Sequence, residues 1–156
     1  MSNYGNLSSL FKPVVSAMKA TVSWVDAAEF LGESESGHKI TMDGATEHGG
    51  ENKGPRPMEL LLLGMGACTA FDVVLILKKA RQAITDCVVH IEAERAEEPP
   101  KVFTKIRNHF VITGSNLSLE KVDCAIKLSA EKYCSASIML GKTAQISHDF
   151  EIIEVD

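Results

Sequence analysis

The stretch Leu60-Leu-Leu-Leu-Gly-Met-Gly-Ala-Cys68-Thr-Ala-Phe-Asp-Val-Val-Leu-Ile-Leu77 is apolar almost throughout and carries a cysteine near its middle. Pro57 suits the first turn of a helix, and the basic residues that follow Leu77 suit a helix C-terminus. These signals predict one helix from Pro57 to about Gln82. Because apolar residues occur nearly all round it, we expect this helix to be buried on all sides rather than along one stripe.

The same apolar run is long enough to raise the question of a membrane span. Asp72 lies inside it, and an acidic side chain near a bilayer centre costs roughly 2.5–3.5 kcal/mol on insertion scales. The rest of the chain alternates polar and apolar residues and contains no second run of this kind. We therefore predict a core helix in a protein that has no membrane partner.

The segments around this helix show the alternation typical of strands. The predicted elements are an antiparallel meander over 20–25, 30–31 and 38–42, a long polar loop over 43–56, a hairpin over 88–95 and 102–112, a helix capped by Ser118, and a final strand over 144–155. Runs of strands separated by helices indicate an α+β domain. The excess of apolar helix surface also favours a second subunit that covers part of it.

The chain of 156 residues is long enough for one domain with a sizeable core. Its net charge of −5, without a basic block, argues against nucleic acid as a partner. Residues 1–17 lack a basic segment followed by a long apolar one, so we interpret them as a weakly structured leader before a single domain over 18–156. Four scattered cysteines do not form a secreted disulfide framework, and we expect a cytoplasmic protein with reduced thiols.

Cys68 and Cys134 both fall in helical stretches and are the candidates for chemistry. A buried cysteine is usually a small hydrophobe, so inert packing and a redox pair are both open from the residues alone. Cys87 and Cys124 are more typical of structural cysteines. Asp72 follows Cys68 by one turn on the same helical face, where a carboxylate should raise the pKa of the thiol and weaken it as a nucleophile.

An activated thiol needs a nearby cation, because the thiolate is the attacking species. Arg56, directly before the long helix, is our first candidate, although a loop arginine is more often solvated. Arg81, Arg95 or Arg107 could also supply the charge from elsewhere in the fold. None of the five histidines stands four residues from another, and none neighbours a cysteine. We therefore expect no metal site and no cofactor.

Two motifs point to one family. Pro57-Met-Glu-Leu-Leu-Leu-Leu-Gly-Met-Gly-Ala-Cys68, followed by Asp72-Val-Val, resembles the first cysteine motif of the OsmC/Ohr family, and Leu128-Ser-Ala-Glu-Lys-Tyr-Cys134-Ser resembles the second. Within the family the likeness is to the YhfA-like branch, from about residue 18 onward. The resemblance implies an α+β fold with antiparallel sheets around two central helices, in an intertwined homodimer with its sites at the subunit interface.

Better-known members of this family reduce organic hydroperoxides with two thiols. By that likeness, Cys68 would attack the peroxide and become a sulfenic acid, and Cys134 would condense with it to a disulfide that an external dithiol reduces. The resemblance thus implies a peroxiredoxin-like thiol peroxidase of oxidative stress defence. Arg56 and Glu59 are the further candidate site residues.

The start of the long helix departs from the family pattern. The peroxidase branches carry Asn-Pro-Glu there, whereas this chain has Met58 at the glutamate position and Glu59 one place later. One residue turns a helical side chain by roughly 100°, so Glu59 need not replace that glutamate. Two other interpretations stay open: a non-catalytic protein that binds a small apolar ligand at the dimer interface, and a redox-sensing dimer.

Overall fold

The structure is a computed structural model that describes residues 17–155. Its backbone divides into two compact units, one ending at Pro57 and one beginning at Met58. Each unit contains one three-stranded sheet. The predicted leader over 1–17 lies outside the described residues except for Ala17. The prediction of a single domain over 18–156 stays a prediction.

The first unit is an antiparallel meander, as predicted. Its strands are β1 (Ala20–Asp26), β2 (Glu29–Ser34) and β3 (Lys39–Met42). Trp24 pairs with Phe30 across the first two strands. The second strand is longer than predicted because its pairing continues to Ser34, opposite Ala20. Gly37, with a φ of 84°, then allows the turn into β3.

One carboxylate organises the long loop after β3. Asp43 is 2% exposed. It accepts hydrogen bonds from the backbone N–H groups of Gly44, Glu51 and Lys53, at 2.8, 2.8 and 3.1 Å. These donors, with that of Lys53 first, lower the pKa of Asp43 because they favour its charged form. The loop is therefore an ordered segment wrapped around a buried anion.

The second unit consists of helices packed on one face of a mixed sheet. Its elements are α1 (Pro57–Lys79), which begins at the boundary, then β4 (Ala83–Arg95), β5 (Phe103–Ser115), α2 (Leu119–Leu128), α3 (Ser135–Leu140) and β6 (Gln145–Glu154). The predicted hairpin and the helix capped by Ser118 are confirmed. Strand β6 pairs with β5 in parallel, so the expectation of antiparallel sheets is wrong for this pair. The chain crosses through α2 and α3 between these strands, and such a crossover permits parallel pairing.

The core of this unit joins α1, α2 and the central strand β5. Its fully buried or nearly buried side chains include Val73, Leu77, Phe110, Ile112, Val122, Ala125 and Ile126. Helix α1 approaches β4 closely at Gly66, where an added Cβ would lie 2.6 Å from Cδ1 of Ile91. A side chain at Gly66 would therefore clash with β4. Gly64, in contrast, has nothing within 4 Å of an added Cβ.

Helix α1 ends three residues earlier than the predicted Gln82. Arg81 has a φ of 56°, in the left-handed region that stops a helix. The N–H of Arg81 donates to the carbonyl oxygen of Lys78, and that of Gln82 donates to the carbonyl oxygen of Leu77, both at 3.0 Å. This pair of bonds is a Schellman cap, formed here without glycine.

Helix α1 is buried along one face only. Leu61, Leu63, Phe71 and Leu75 are 47%, 58%, 69% and 39% exposed. We call these four side chains the α1 apolar strip. The prediction of burial on all sides is therefore wrong for the single chain.

Helix α1 is long enough and, with a mean hydropathy of 2.3, apolar enough to cross a membrane. Among the described helices, it alone meets both criteria. The core helix of a soluble protein meets the same criterion. The absence of a membrane partner therefore stays a prediction.

Candidate active site

Helix α1 presents Cys68 and Asp72 one turn apart, so the two side chains share a face. Both residues are half-buried. The leucine, alanine and methionine residues around them favour a regular helix. The spacing of the thiol and the carboxylate is therefore set by helix geometry.

The second thiol lies in a break between two helices. After α2 ends, Ser129–Tyr133 form a π-helical turn, and Cys134 has extended torsions, φ −73° and ψ 97°, before α3 begins. The N–H of Cys134 donates to the carbonyl oxygen of Ser129 at 2.8 Å. The sequence analysis placed Cys134 in a helical stretch, whereas the structure places it in a break between two helices. The break follows the π-helical turn that begins at Ser129, whose side chain turns inward to α1.

These two elements bring Cys68, Asp72 and Cys134 together. The two sulfur atoms and a carboxylate oxygen all lie within 4.8 Å of one another, and both thiols are free. Ser129 Oγ donates to Asp72 Oδ2 at 3.1 Å and lies 2.9 Å from Thr69 Oγ1. Thr69 and Ser129 are fully buried, so this chain of hydrogen bonds holds the carboxylate beside the sulfurs.

Two consecutive backbone amides at the start of α3 affect the two sulfurs. The N–H of Ala136 lowers the pKa of Cys68, and the N–H of Ser137 donates to Cys134 Sγ at 3.4 Å. The hydroxyl of Ser137 is a second donor to Cys134, at 3.2 Å. Neither Ala136 nor Ser137 was predicted. The available signal was the run of small residues after Cys134, which lets the backbone pass close to both thiols.

The two thiols differ in their access to solvent. Cys68 is half-buried, whereas Cys134 is 0% exposed. The thiol of Cys134 also donates weakly to the carbonyl oxygen of Met65, at 4.0 Å. A dissolved oxidant therefore meets Cys68 first, and Cys134 is reached from inside the site.

The surroundings of Cys68 raise its pKa above the ordinary value. Burial is the largest cause, and the hydrogen bond with Cys134 comes next. Negative charge on Cys134 and on Asp72 raises the pKa further, while the N–H of Ala136 lowers it. The predicted effect of Asp72 is thus confirmed. The lowered pKa that an activated thiol requires is not produced by the described residues of this chain.

Four further residues entered the sequence prediction. Cys87 packs against the core from β4, where burial and then Asp86 raise its pKa to about 11. Cys124 is exposed on α2. Neither belongs to the cluster around Cys68. Glu59 is exposed in the first turn of α1, and Arg56 is half-buried in the first unit, so their roles stay predictions.

Several known proteins are similar to this chain in sequence and fold. Residues 50–149 match the family model of the OsmC-like protein. Protein YhfA of Escherichia coli K12 is 48% identical over 136 residues, which cover 87% of this chain and 98% of that protein. The crystal structure of a hypothetical protein from Aquifex aeolicus VF5 is 31% identical, with a TM-score of 0.76 over 90% of this chain and 100% of that chain.

A more distant structure has a name that states a role. The organic hydroperoxide resistance protein OhrB of Bacillus subtilis gives a TM-score of 0.60 at 18% identity, over 86% of this chain and 98% of that chain. At this identity the likeness concerns the fold alone. The match to the family model and the 48% identical relative establish that this chain belongs to the OsmC-like family, with its α+β fold of two sheets and helices.

Proposed function

We propose that this protein is a thiol-dependent organic hydroperoxide reductase that uses Cys68 and Cys134. The thiolate of Cys68 attacks an oxygen of the hydroperoxide, the O–O bond breaks, and the alkoxide leaves and takes up a proton. Cys68 is then a sulfenic acid. Cys134 attacks that sulfur, an S–S bond forms, and the hydroxyl leaves as water. An external dithiol then reduces the disulfide by exchange and is itself oxidised.

The pairing of a half-buried thiol with a buried one is the observation that carries this proposal. A sulfenic acid condenses with a thiol only where the two sulfurs can meet, and those of Cys68 and Cys134 lie within 4.8 Å. The amides of Ala136 and Ser137 suit the negative charge that develops on sulfur during both steps. Membership of the OsmC-like family and the fold shared with organic hydroperoxide resistance proteins support the same chemistry.

Activation of Cys68 is a separate part of the proposal. Because its surroundings raise its pKa, a cation is needed to favour the thiolate. Arg56 is our candidate for that cation, and Glu59 for the family carboxylate, because both stand at the entrance to the cysteine helix. Arg56→Ala should slow the first step and raise the pKa of Cys68 further. Lys79→Ala, an exposed basic residue at the other end of the helix, is the matched control.

We also propose that the protein acts as a cytoplasmic homodimer in oxidative stress defence. The α1 apolar strip is a surface that water disfavours, and soluble proteins usually cover such surfaces. A second copy presents the same strip, and a two-fold interface pairs one patch with itself. By helical spacing, Cys68 stands between Leu61 and Leu75 along this side of α1. The dimer would thus give the thiol the apolar surroundings that an organic hydroperoxide prefers.

The test is consumption of tert-butyl hydroperoxide by reduced protein, with dithiothreitol as the external dithiol. We expect repeated turnover in the wild type and none in Cys68→Ser. Cys134→Ser should react once and accumulate a sulfenic acid or a mixed disulfide. Cys87→Ser and Cys124→Ser are the matched controls and should turn over like the wild type.

Peptide mapping after one equivalent of hydroperoxide identifies the pair. It should show a disulfide between the peptides that contain Cys68 and Cys134. A link through Cys87 or Cys124 would contradict this assignment.

The raised pKa of Cys68 favours one other function, a non-catalytic protein that binds a small apolar ligand at the dimer interface. A neutral thiol reacts slowly with peroxide. A pKa near or above the ordinary value in the intact protein, with no hydroperoxide turnover, would favour this function over the reductase. Rapid oxidation of Cys68 without repeated turnover would instead favour a redox sensor.

A further inference from the structure

The cluster of Cys68, Asp72 and Cys134 has a second chemical capacity that does not involve peroxide. Thiolates and carboxylates are among the ligands that hold Zn²⁺ and similar thiophilic cations in proteins. We propose that these three side chains form a binding site for a thiophilic divalent cation, with a fourth position open to water. No spacing in the sequence indicates it, because the ligands come from α1 and from the break before α3.

The donor atoms already lie close to the positions that such a cation needs. All three are within 4.8 Å of one another. On a tetrahedral zinc ion with Zn–S bonds of about 2.3 Å, two sulfurs stand about 3.8 Å apart, so closure requires a shift of at most about 1 Å. Cys134 can make this shift because it has extended backbone torsions and lies between the π turn and α3.

Hydrogen bonds from neighbouring residues orient two of the three proposed ligands. Ser129 donates to one of the two carboxylate oxygens of Asp72, and the other oxygen can bind the cation. The N–H and the hydroxyl of Ser137 donate to Cys134 Sγ at 3.4 and 3.2 Å. Such contacts orient metal ligands and help to determine the affinity for the metal.

The charges in the cluster also favour a cation. Each thiol releases its proton to solvent when it coordinates a metal, so the three ligands together carry three negative charges. A divalent cation offsets two of these charges. Without a cation, the negative charges of the three ionised ligands would repel one another, because their donor atoms lie within 4.8 Å of one another.

Metal binding would withhold both sulfurs from peroxide, so the cation and the hydroperoxide should exclude each other. This consequence rests on the proposed function, whereas the site itself does not. A cation that dissociates again would protect the thiols while it is bound.

The test is a titration of reduced, chelator-treated protein with Cd²⁺ under anaerobic conditions. The ultraviolet charge-transfer absorption of cadmium thiolate is the readout. The chain has four cysteines, so the titration uses the double variant Cys87→Ser/Cys124→Ser, in which Cys68 and Cys134 are the remaining thiols. We expect saturation at one equivalent per chain and displacement of Cd²⁺ by Zn²⁺.

Variants of the three ligands then test the composition of the site. Adding Cys68→Ser or Cys134→Ser to this background should abolish saturable absorption. Asp72→Asn keeps the shape of the side chain and should weaken binding at least about tenfold, the lower end of the cost of losing an outer-shell partner. Circular dichroism verifies that each variant is folded.

Two results would overturn the proposal: no saturable absorption in the double variant, or equal affinity with Asp72 and with Asn at that position. Because the readout is absorption, it is independent of peroxide chemistry. Binding without hydroperoxide turnover in metal-free protein would reject the reductase alone. Turnover without binding would reject the metal site alone.

Discussion

The hydroxyl of Ser137 lies 3.2 Å from the sulfur of Cys134, and the N–H of the same residue donates to that sulfur at 3.4 Å. One buried residue in the first turn of α3 thus supplies two donors to the second thiol of the proposed reaction. Negative charge that develops on this sulfur is stabilised by fixed protein groups, which act more strongly in a buried site than in water.

Ser137→Ala should slow disulfide formation and leave the attack of Cys68 on peroxide unchanged. Loss of a hydrogen bond to a charged group costs about 1.5–3 kcal/mol, which corresponds to a rate lower by about ten- to a hundredfold. Rapid mixing with hydroperoxide, followed by trapping with dimedone, should therefore reveal more sulfenic acid. Ser135→Ala changes an exposed serine nearby and should resemble the wild type. Equal amounts of trapped sulfenic acid in both variants would show that the hydroxyl of Ser137 does not contribute to disulfide formation.

Asp72→Asn should make Cys68 react faster at neutral pH. The charge of Asp72 raises the pKa of this thiol, so a neutral amide should lower that pKa and increase the thiolate fraction. Alkylation of the Cys68 peptide by iodoacetamide at several pH values measures the pKa. In the wild type, the rate should rise about tenfold for each pH unit below the pKa.

The matched control for this change is Asp123→Asn on α2. Its carboxylate pairs with Lys127 at 2.7 Å and is not part of the cluster. Its alkylation profile should equal that of the wild type. An unchanged pKa in Asp72→Asn would mean that the carboxylate acts on the site only through its hydrogen bond from Ser129.

Phe71→Glu should dissociate the proposed homodimer. Phe71 is 69% exposed on the α1 apolar strip, and a carboxylate there would be buried without a partner if a second copy covers the strip. Leu119 on α2 is 68% exposed, so Leu119→Glu is a control of matched exposure outside the strip. Light scattering should give dimers for the wild type and the control. A stable wild-type monomer at micromolar concentration would contradict the interface.

Stability should decrease in mild acid because of His148 on β6. Its Nε2 atom is buried without a hydrogen-bond partner among the described residues, and burial lowers its pKa below the ordinary 6.5, partly opposed by Asp149. The unfolded chain therefore binds this proton at a higher pH than the folded chain does. Stability is fully present above pH 6.5 and is lost as the pH falls through the folded pKa.

Urea unfolding above and below pH 6.5 measures this effect. His148→Gln should reduce the difference between the two midpoints. His38→Gln, at an exposed histidine, should keep it. A wild-type midpoint that does not change with pH would show that His148 does not titrate differently on folding.

Local patterns predicted much of the fold. Alternation of side chains located the meander and the hairpin of β4 and β5, and Ser118 marked the start of α2. The end of α1 was misplaced because Arg81 adopts a conformation that non-glycine residues rarely take. The parallel direction of β6 depends on the path of the crossover and not on its own residues, so no pattern within that strand reveals it.

The site was predicted only in part, for a similar reason. The two sulfurs and the effect of Asp72 follow from motifs and helical spacing. The contributions of Ser129 and Ser137 do not, because a serine in a helical stretch commonly bonds its own backbone. Their contacts arise from the break in the helix, which residue propensities do not specify.

The extended backbone conformation of Cys134 determines which part of the chain moves when the two thiols are oxidised. Cys68 lies within a continuous helix of 23 residues, whose hydrogen-bonded turns resist a local displacement. Cys134 joins one π turn to a helix of six residues, so rotation about its own torsions moves its sulfur at little cost. We therefore expect α1 to stay in place and α3 to shift. Ile138 and Met139 on α3 are 42% and 72% exposed, so the oxidation of Cys68 and Cys134 would change the position of apolar side chains on the outer surface of the protein.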